Sequence, residues 1–167
     1  MYKRQEYCYS LLREISNAGH TIGIHSASHD YEKIYASVDA FLEDFNEAYE
    51  IVLEATGKAP DIYRFPGGSV NDYNEKTRDD IIAEMDRRGF TYFDWNVDSN
   101  DWQGYGWTTL YTNVLKDAEE FSSPVILFHN TGDRDNTVLV IEDIIKALKN
   151  KGYKFGSLSQ KIKPVQF

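Results

Sequence analysis

Apolar residues fall into short runs separated by amphipathic stretches, the pattern of a protein that alternates strands with helices. Leu11, Leu12 and Ile15 share one face of an opening helix that Gly19 stops, and residues 21–25 read as a strand. After an irregular stretch, Val38, Phe41, Leu42, Phe45, Ala48, Tyr49 and Leu53 recur at three- and four-residue steps. They form one helical stripe, with Ser37 placed to cap its start and Gly57 its end. Residues 62–65 read as a strand that stops where Pro66, Gly67 and Gly68 must turn the backbone. The pattern then predicts a helix over 75–88 ending at Gly89, a strand over 92–96, a helix over 108–121 and a buried strand over 125–129. A helix over 137–150 and a terminal strand over 153–156 complete the series.

The polar residues His25, Arg64, Asp98, Asp101 and His129 all fall at or just beyond the C-terminal end of a predicted strand. In parallel βα folds that edge is where the loops converge and active sites are built. A length of 167 residues with 41% apolar and 14% aromatic content suits one core, so residues 1–167 read as a single domain. Against 27 Asp plus Glu there are only 18 Lys plus Arg, a net charge of −9 with no basic cluster. Nucleic acid is thereby excluded as a partner, since affinity for phosphates rests on cationic side chains. No run approaches the roughly twenty apolar residues of a membrane span, and no signal peptide opens the chain. The one cysteine, Cys8, has no internal partner.

His25-Ser26-Ala27-Ser28-His29 places two imidazoles four residues apart, so that in a helical turn both would face one metal ion. Taken alone, that spacing also suits histidines in ordinary hydrogen bonds. Its context is more specific. Residues 19–29 resemble the metal-binding motif of the NodB-type polysaccharide deacetylases, carbohydrate esterase family four. Arg64-Phe65-Pro66-Gly67-Gly68 is similar to that family's arginine–proline motif, and Asp98-Ser99-Asn100-Asp101-Trp102 to its D-x-x-D-W motif. Leu127-Phe128-His129 resembles its late leucine–histidine motif, and residues 151–155 its closing strand.

The resemblance implies a metal-dependent hydrolase that removes N-acetyl groups from a glycan of the peptidoglycan or chitin type, at the cell surface or outside the cell. It implies a divalent cation, typically zinc, on His25 and His29, lowering the pKa of water toward about 7 and polarising the acetyl carbonyl. The N–H of Gly67, after Pro66, would hold the oxyanion, and His129 would protonate the leaving nitrogen. Asp101 would favour the charged form of His129, Arg64 would orient the catalytic base, and Trp102 and Leu127 would shape the acetyl pocket. Trp102 and Leu127 equally suit core positions, and Arg64 with Asp101 a structural ion pair.

Two departures from the family pattern stand out. Asn130 follows His129 where the family usually carries aspartate, and the opening T-F-D-D-G strand, source of the base and the third metal ligand, is not found. Asp79-Asp80 instead reads as solvated charge in the first turn of a helix. The fold expected is therefore α/β, an incomplete and distorted (β/α) barrel of the deacetylase type without its first strands. Weak metal binding, impaired catalysis and self-association through exposed strand edges are expected with it. The alternative is a non-catalytic carbohydrate-binding pseudoenzyme, with Tyr63, Trp95, Trp102, Tyr105 and Trp107 stacking on sugar rings.

Overall fold

The computed structural model describes residues 2–130 and 135–167. The chain divides into two compact units, the first made of Met1–Asp94 and Ser157–Phe167, the second of Trp95–Gly156.

In the first unit, helix α1 (Tyr2–Asn17) is followed by a short α2 (Tyr31–Ile34) and the long α3 (Val38–Thr56). Both expected ends of α3 are present. The Ser37 side chain accepts the Ala40 N–H at 3.1 Å, and Gly57 takes the left-handed conformation, φ 69°, with its N–H on the Leu53 carbonyl. Strand β1 (Ile62–Tyr63) pairs in parallel with β2 (Thr91–Tyr92), and α4 (Arg78–Arg87) connects them. The residues before α4 form turns because Asn71 and Asn74 side chains draw in the local backbone, which shortens the helix expected from residue 75. Asp79 and Asp80 are exposed in its first turn, as expected of charge near a helix N-terminus.

The strand expected over 21–25 is reduced to a parallel bridge between Ile24 and Tyr63, with Ile24 N–H on Ile62 O and Arg64 N–H on Ile24 O. Gly23 lets that pairing happen: a Cβ there would lie 3.1 Å from the Ile62 carbonyl oxygen. Beneath the sheet Tyr35, Phe41, Phe45, Tyr63, Phe65 and Tyr92 pack ring against ring, with Phe65 wholly buried. Tyr63 is only 2% exposed, so it belongs to this core and cannot offer a face to a sugar.

The strand expected over 92–96 breaks at Asp94. Its N–H turns to the Val165 carbonyl at 2.8 Å, while its buried carboxylate accepts from Ser69 N–H, Ser69 Oγ–H and Phe167 N–H. Segment 157–167 is tied further to this unit by Gln160 Nε2, which donates to the carbonyls of Asp61 and Gly89, and by Gln166 Nε2, which donates to Tyr92 O.

The second unit pairs β3 (Val97–Asp98) in parallel with β4 (Ile126–Leu127). Helices α5 (Trp107–Ala118) and α6 (Asp135–Asn150) enclose a core of Val97, Leu110, Val114, Ala118, Val140, Ile144 and Leu148. No strand forms over 153–156. Tyr153 instead closes the end of α6, its N–H on Leu148 O and its hydroxyl on Ala118 O, so this backbone is committed elsewhere.

Candidate functional site

The site residues expected from sequence form two clusters, one in each unit. In the first, His25 follows the Ile24 bridge directly, and its Nδ1 lies 2.9 Å from the Arg64 carbonyl oxygen. A carbonyl only accepts, so Nδ1 carries the proton and the neutral ring's lone pair sits on Nε2. The His29 ring centroid lies 5.2 Å from that of His25. The two rings are brought together, but not by the helical turn expected. Residues 26–29 form an irregular loop in which His29 adopts φ 55°.

The cause of that loop is a residue that the sequence reading missed. Asp44, on the inward face of α3 and 4% exposed, accepts the Ser26 hydroxyl at 2.5 Å, the Ala27 N–H at 3.0 Å and the Ser28 N–H at 2.9 Å. Ser26 Oγ in turn accepts the His29 N–H at 2.8 Å. Burial pushes the Asp44 carboxyl up, but the hydrogen bonds from Ser26, Ser28 and Ala27 outweigh it and leave the group below its usual range. The signal was available: a carboxylate between Phe41 and Phe45 on an apolar stripe needs buried donors to sit there.

Beside this loop lies the Pro66-Gly67-Gly68 turn. Tyr35 Oη donates to Pro66 O at 2.7 Å, and the Asn71 and Asn74 amides donate to Gly68 O. Gly67 is exposed at φ 77°, and among the described residues no acceptor takes its N–H. The Arg64 side chain is half-buried at the start of the same turn.

In the second unit the structure brings Asp101 and His129 side by side. Asp101, 1% exposed, lies with Oδ1 2.7 Å from His129 Nδ1, and its Oδ2 accepts the His129 N–H at 2.8 Å. A third donor was missed: Thr137 Oγ1, also buried, reaches Oδ2 at 2.9 Å. Burial pushes the Asp101 carboxyl up, and hydrogen bonds from His129 and Thr137 bring it below the usual carboxylate range. Thr137 shares the buried stripe of Val140, Ile144 and Leu148, where a hydroxyl needs an acceptor. Leu127 is buried on β4, whereas Trp102 is 55% exposed and so is not a core residue. Tyr105 and Trp107 are exposed as well, the latter stacked on Tyr111 at 5.0 Å.

Among the described residues no group of three or more His, Cys, Asp or Glu side chains is placed to hold a metal ion. Two imidazoles with adjacent rings and one fixed tautomer fit two positions of a divalent cation's coordination shell. A carboxylate-clamped imidazole fits proton transfer.

These features stand on short parallel strands joined by helices, the arrangement of an α/β protein. The model of the polysaccharide deacetylase family matches residues 3–90, and the chain belongs to that family. The catalytic domain of peptidoglycan N-acetylglucosamine deacetylase from Eubacterium rectale is 31% identical, with a TM-score of 0.89 over 95% of this chain and 74% of its own. A polysaccharide deacetylase from Bacillus cereus is 29% identical, with a TM-score of 0.81 over 97% of this chain and 78% of its own. A peptidoglycan-N-acetylglucosamine deacetylase of Bacillus cereus is 30% identical over 151 residues, 87% of this chain and 52% of that protein. The chain spans about half the length of the first curated relatives it matches.

Proposed function

We propose that residues 1–167 act as one deacetylase domain, of the distorted (β/α) barrel type, in a metal-dependent hydrolase of N-acetylated glycan. Peptidoglycan is the favoured substrate, because the relatives at about 30% identity carry that activity in their names. A cell-wall glycan places its enzyme at the cell surface or outside the cell. The observation that carries the reading is the His25–His29 pair, two adjacent imidazoles with His25 Nδ1 committed to a carbonyl.

The roles follow from chemistry. His25 and His29 are the cation's protein ligands, most readily for zinc. When bound, such a cation supplies Lewis acidity toward the acetyl carbonyl and lowers the pKa of water. Gly67 offers its backbone N–H to the oxyanion of a tetrahedral intermediate, in a turn whose neighbouring carbonyls are already held by Tyr35, Asn71 and Asn74. Arg64, at the start of that turn, would orient a base contributed by another segment, and Pro66 fixes the turn. Asp101 holds the His129 ring by Nδ1, so Nε2 is the atom that delivers a proton to the departing nitrogen. Trp102 and Leu127 shape the acetyl pocket.

With two protein ligands in place of three, zinc binding by this polypeptide is weak and its turnover low. The test is a zinc titration alongside acetate release from peptidoglycan fragments and chitooligosaccharides. Weak uptake that His25→Ala and His29→Ala abolish supports the site. Uptake unchanged in the double variant refutes it, and tight stoichiometric zinc with rapid acetate release refutes the impairment.

A second reading, a non-catalytic glycan-binding module, is favoured by the exposure of Trp102, Tyr105 and Trp107. Oligosaccharide binding without acetate release, lost on replacing these residues by alanine, would select it.

A further inference from the structure

We infer that Asp44 is a positioning residue of the cation site, acting on His25 and His29 through the backbone between them. The inference rests on the reading of those histidines as cation ligands.

Each described hydrogen bond of the Asp44 carboxylate runs to residues 26–28, the three residues that separate the two imidazoles. One oxygen takes Ser26 Oγ–H and Ala27 N–H, the other takes Ser28 N–H. Two consecutive backbone N–H groups converging on one carboxylate fix the path of the chain, since a main-chain donor left unpaired at a half-buried loop carries a penalty. Ser26 then passes the constraint on. Its hydroxyl donates to Asp44 and accepts from His29 N–H at 2.8 Å, which holds His29 in a left-handed conformation that residues bearing a Cβ rarely adopt.

The ring separation is therefore set from α3 as well as from the Ile24 bridge. His25 is anchored by Arg64 O, and His29 by the relay Asp44–Ser26. Because α3 is capped at both ends and packed along its apolar face, the carboxylate is presented from a rigid element. Partners that orient ligands in this way typically alter metal affinity by 10- to 100-fold when removed.

The experiment measures the zinc affinity of the whole chain by competition with a chromophoric chelator, with ZnCl2 as the only ligand added. Asp44→Asn keeps the shape but turns one acceptor into a donor facing main-chain N–H groups, and Ser26→Ala removes the relay while Ser26→Thr restores its hydroxyl. The expected result is at least a tenfold loss of affinity in Asp44→Asn and Ser26→Ala, near-native affinity in Ser26→Thr, and metal-free melting midpoints of the Ser26 variants close to native. Native affinity in a folded Asp44→Asn overturns the inference. If Asp44→Asn does not fold, the serine pair decides: a loss in Ser26→Ala alone supports it, and equal affinity in Ser26→Ala and Ser26→Thr overturns it. Zinc uptake that His25→Ala leaves untouched is a separate outcome, since it removes the cation reading itself.

Discussion

Replacing Thr137 by valine deletes one hydroxyl and almost no volume, and the effect can be worked out from three distances. Asp101 is held by donors at 2.7, 2.8 and 2.9 Å, and its side chain has no exposed surface. Thr137→Val removes the last of these and places a methyl group against Oδ2. A hydrogen bond to a charged group contributes about 1.5–3 kcal/mol, and water has no route to replace it here, so the second unit should lose about 2 kcal/mol. The loss depends on pH in a defined sense. The Asp101 carboxyl lies below its usual range when folded, so its stabilisation is present above the unfolded carboxyl value of about 3.9 and is lost as pH falls through the folded value. Removing a donor moves the folded value upward. The deficit of the variant is therefore full at pH 7 and shrinks as pH falls through the folded value of Asp101, first in the variant and then in the native protein. All three tryptophans, Trp95, Trp102 and Trp107, lie in the second unit, so urea unfolding followed by tryptophan fluorescence reports on it selectively. Thr137→Ser is the control and should stay within about 0.5 kcal/mol of native, the range of neutral substitutions. A Thr137→Val protein as stable as native at pH 7, or a deficit that grows as pH falls, refutes the reasoning.

Three further outcomes are expected. Asp101→Asn leaves His129 N–H, His129 Nδ1–H and the Thr137 hydroxyl facing an amide with one acceptor oxygen, costing about 3 kcal/mol in the same fluorescence assay and lowering any acetate release. Phe65→Ala empties the centre of the first unit and should cost about 3–5 kcal/mol, read by circular dichroism because that unit holds no tryptophan. Gly67→Ala puts a Cβ 3.3 Å from Tyr31 Oη at a backbone φ of 77°, and should lose about 1–2 kcal/mol; a variant with native stability would show that the turn relaxes without strain.

The helices were legible in the sequence because their signals are local. Ser37 and Gly57 bracket α3 at the positions that its apolar stripe demands, and Gly19 and Gly89 end α1 and α4 in left-handed conformations. The strands were legible in place but not in extent. Pairing is settled by distant partners, and Asp94 and Tyr153 each spend their main-chain N–H outside a ladder, on Val165 O and Leu148 O. Within the candidate site, His25, His29, Asp101 and His129 were visible as types of residue at characteristic spacings. Asp44 and Thr137 were hidden because each sits in a helix whose pattern reads as packing, and only the folded partner shows what the polar atom serves.

The first unit is discontinuous along the chain, with residues 95–156 intervening between Asp94 and the closing segment Ser157–Phe167. On a ribosome the donors for the carbonyls of Asp61, Gly89 and Tyr92 therefore emerge only after the whole second unit has been made. The nascent first unit must wait with the Gly89 and Tyr92 carbonyls short of their side-chain donors, the Asp61 carbonyl held by Thr91 N–H alone, and the Asp94 carboxylate short of its Phe167 donor. Synthesis order thus reverses assembly order: the part that begins the chain is the last to be finished.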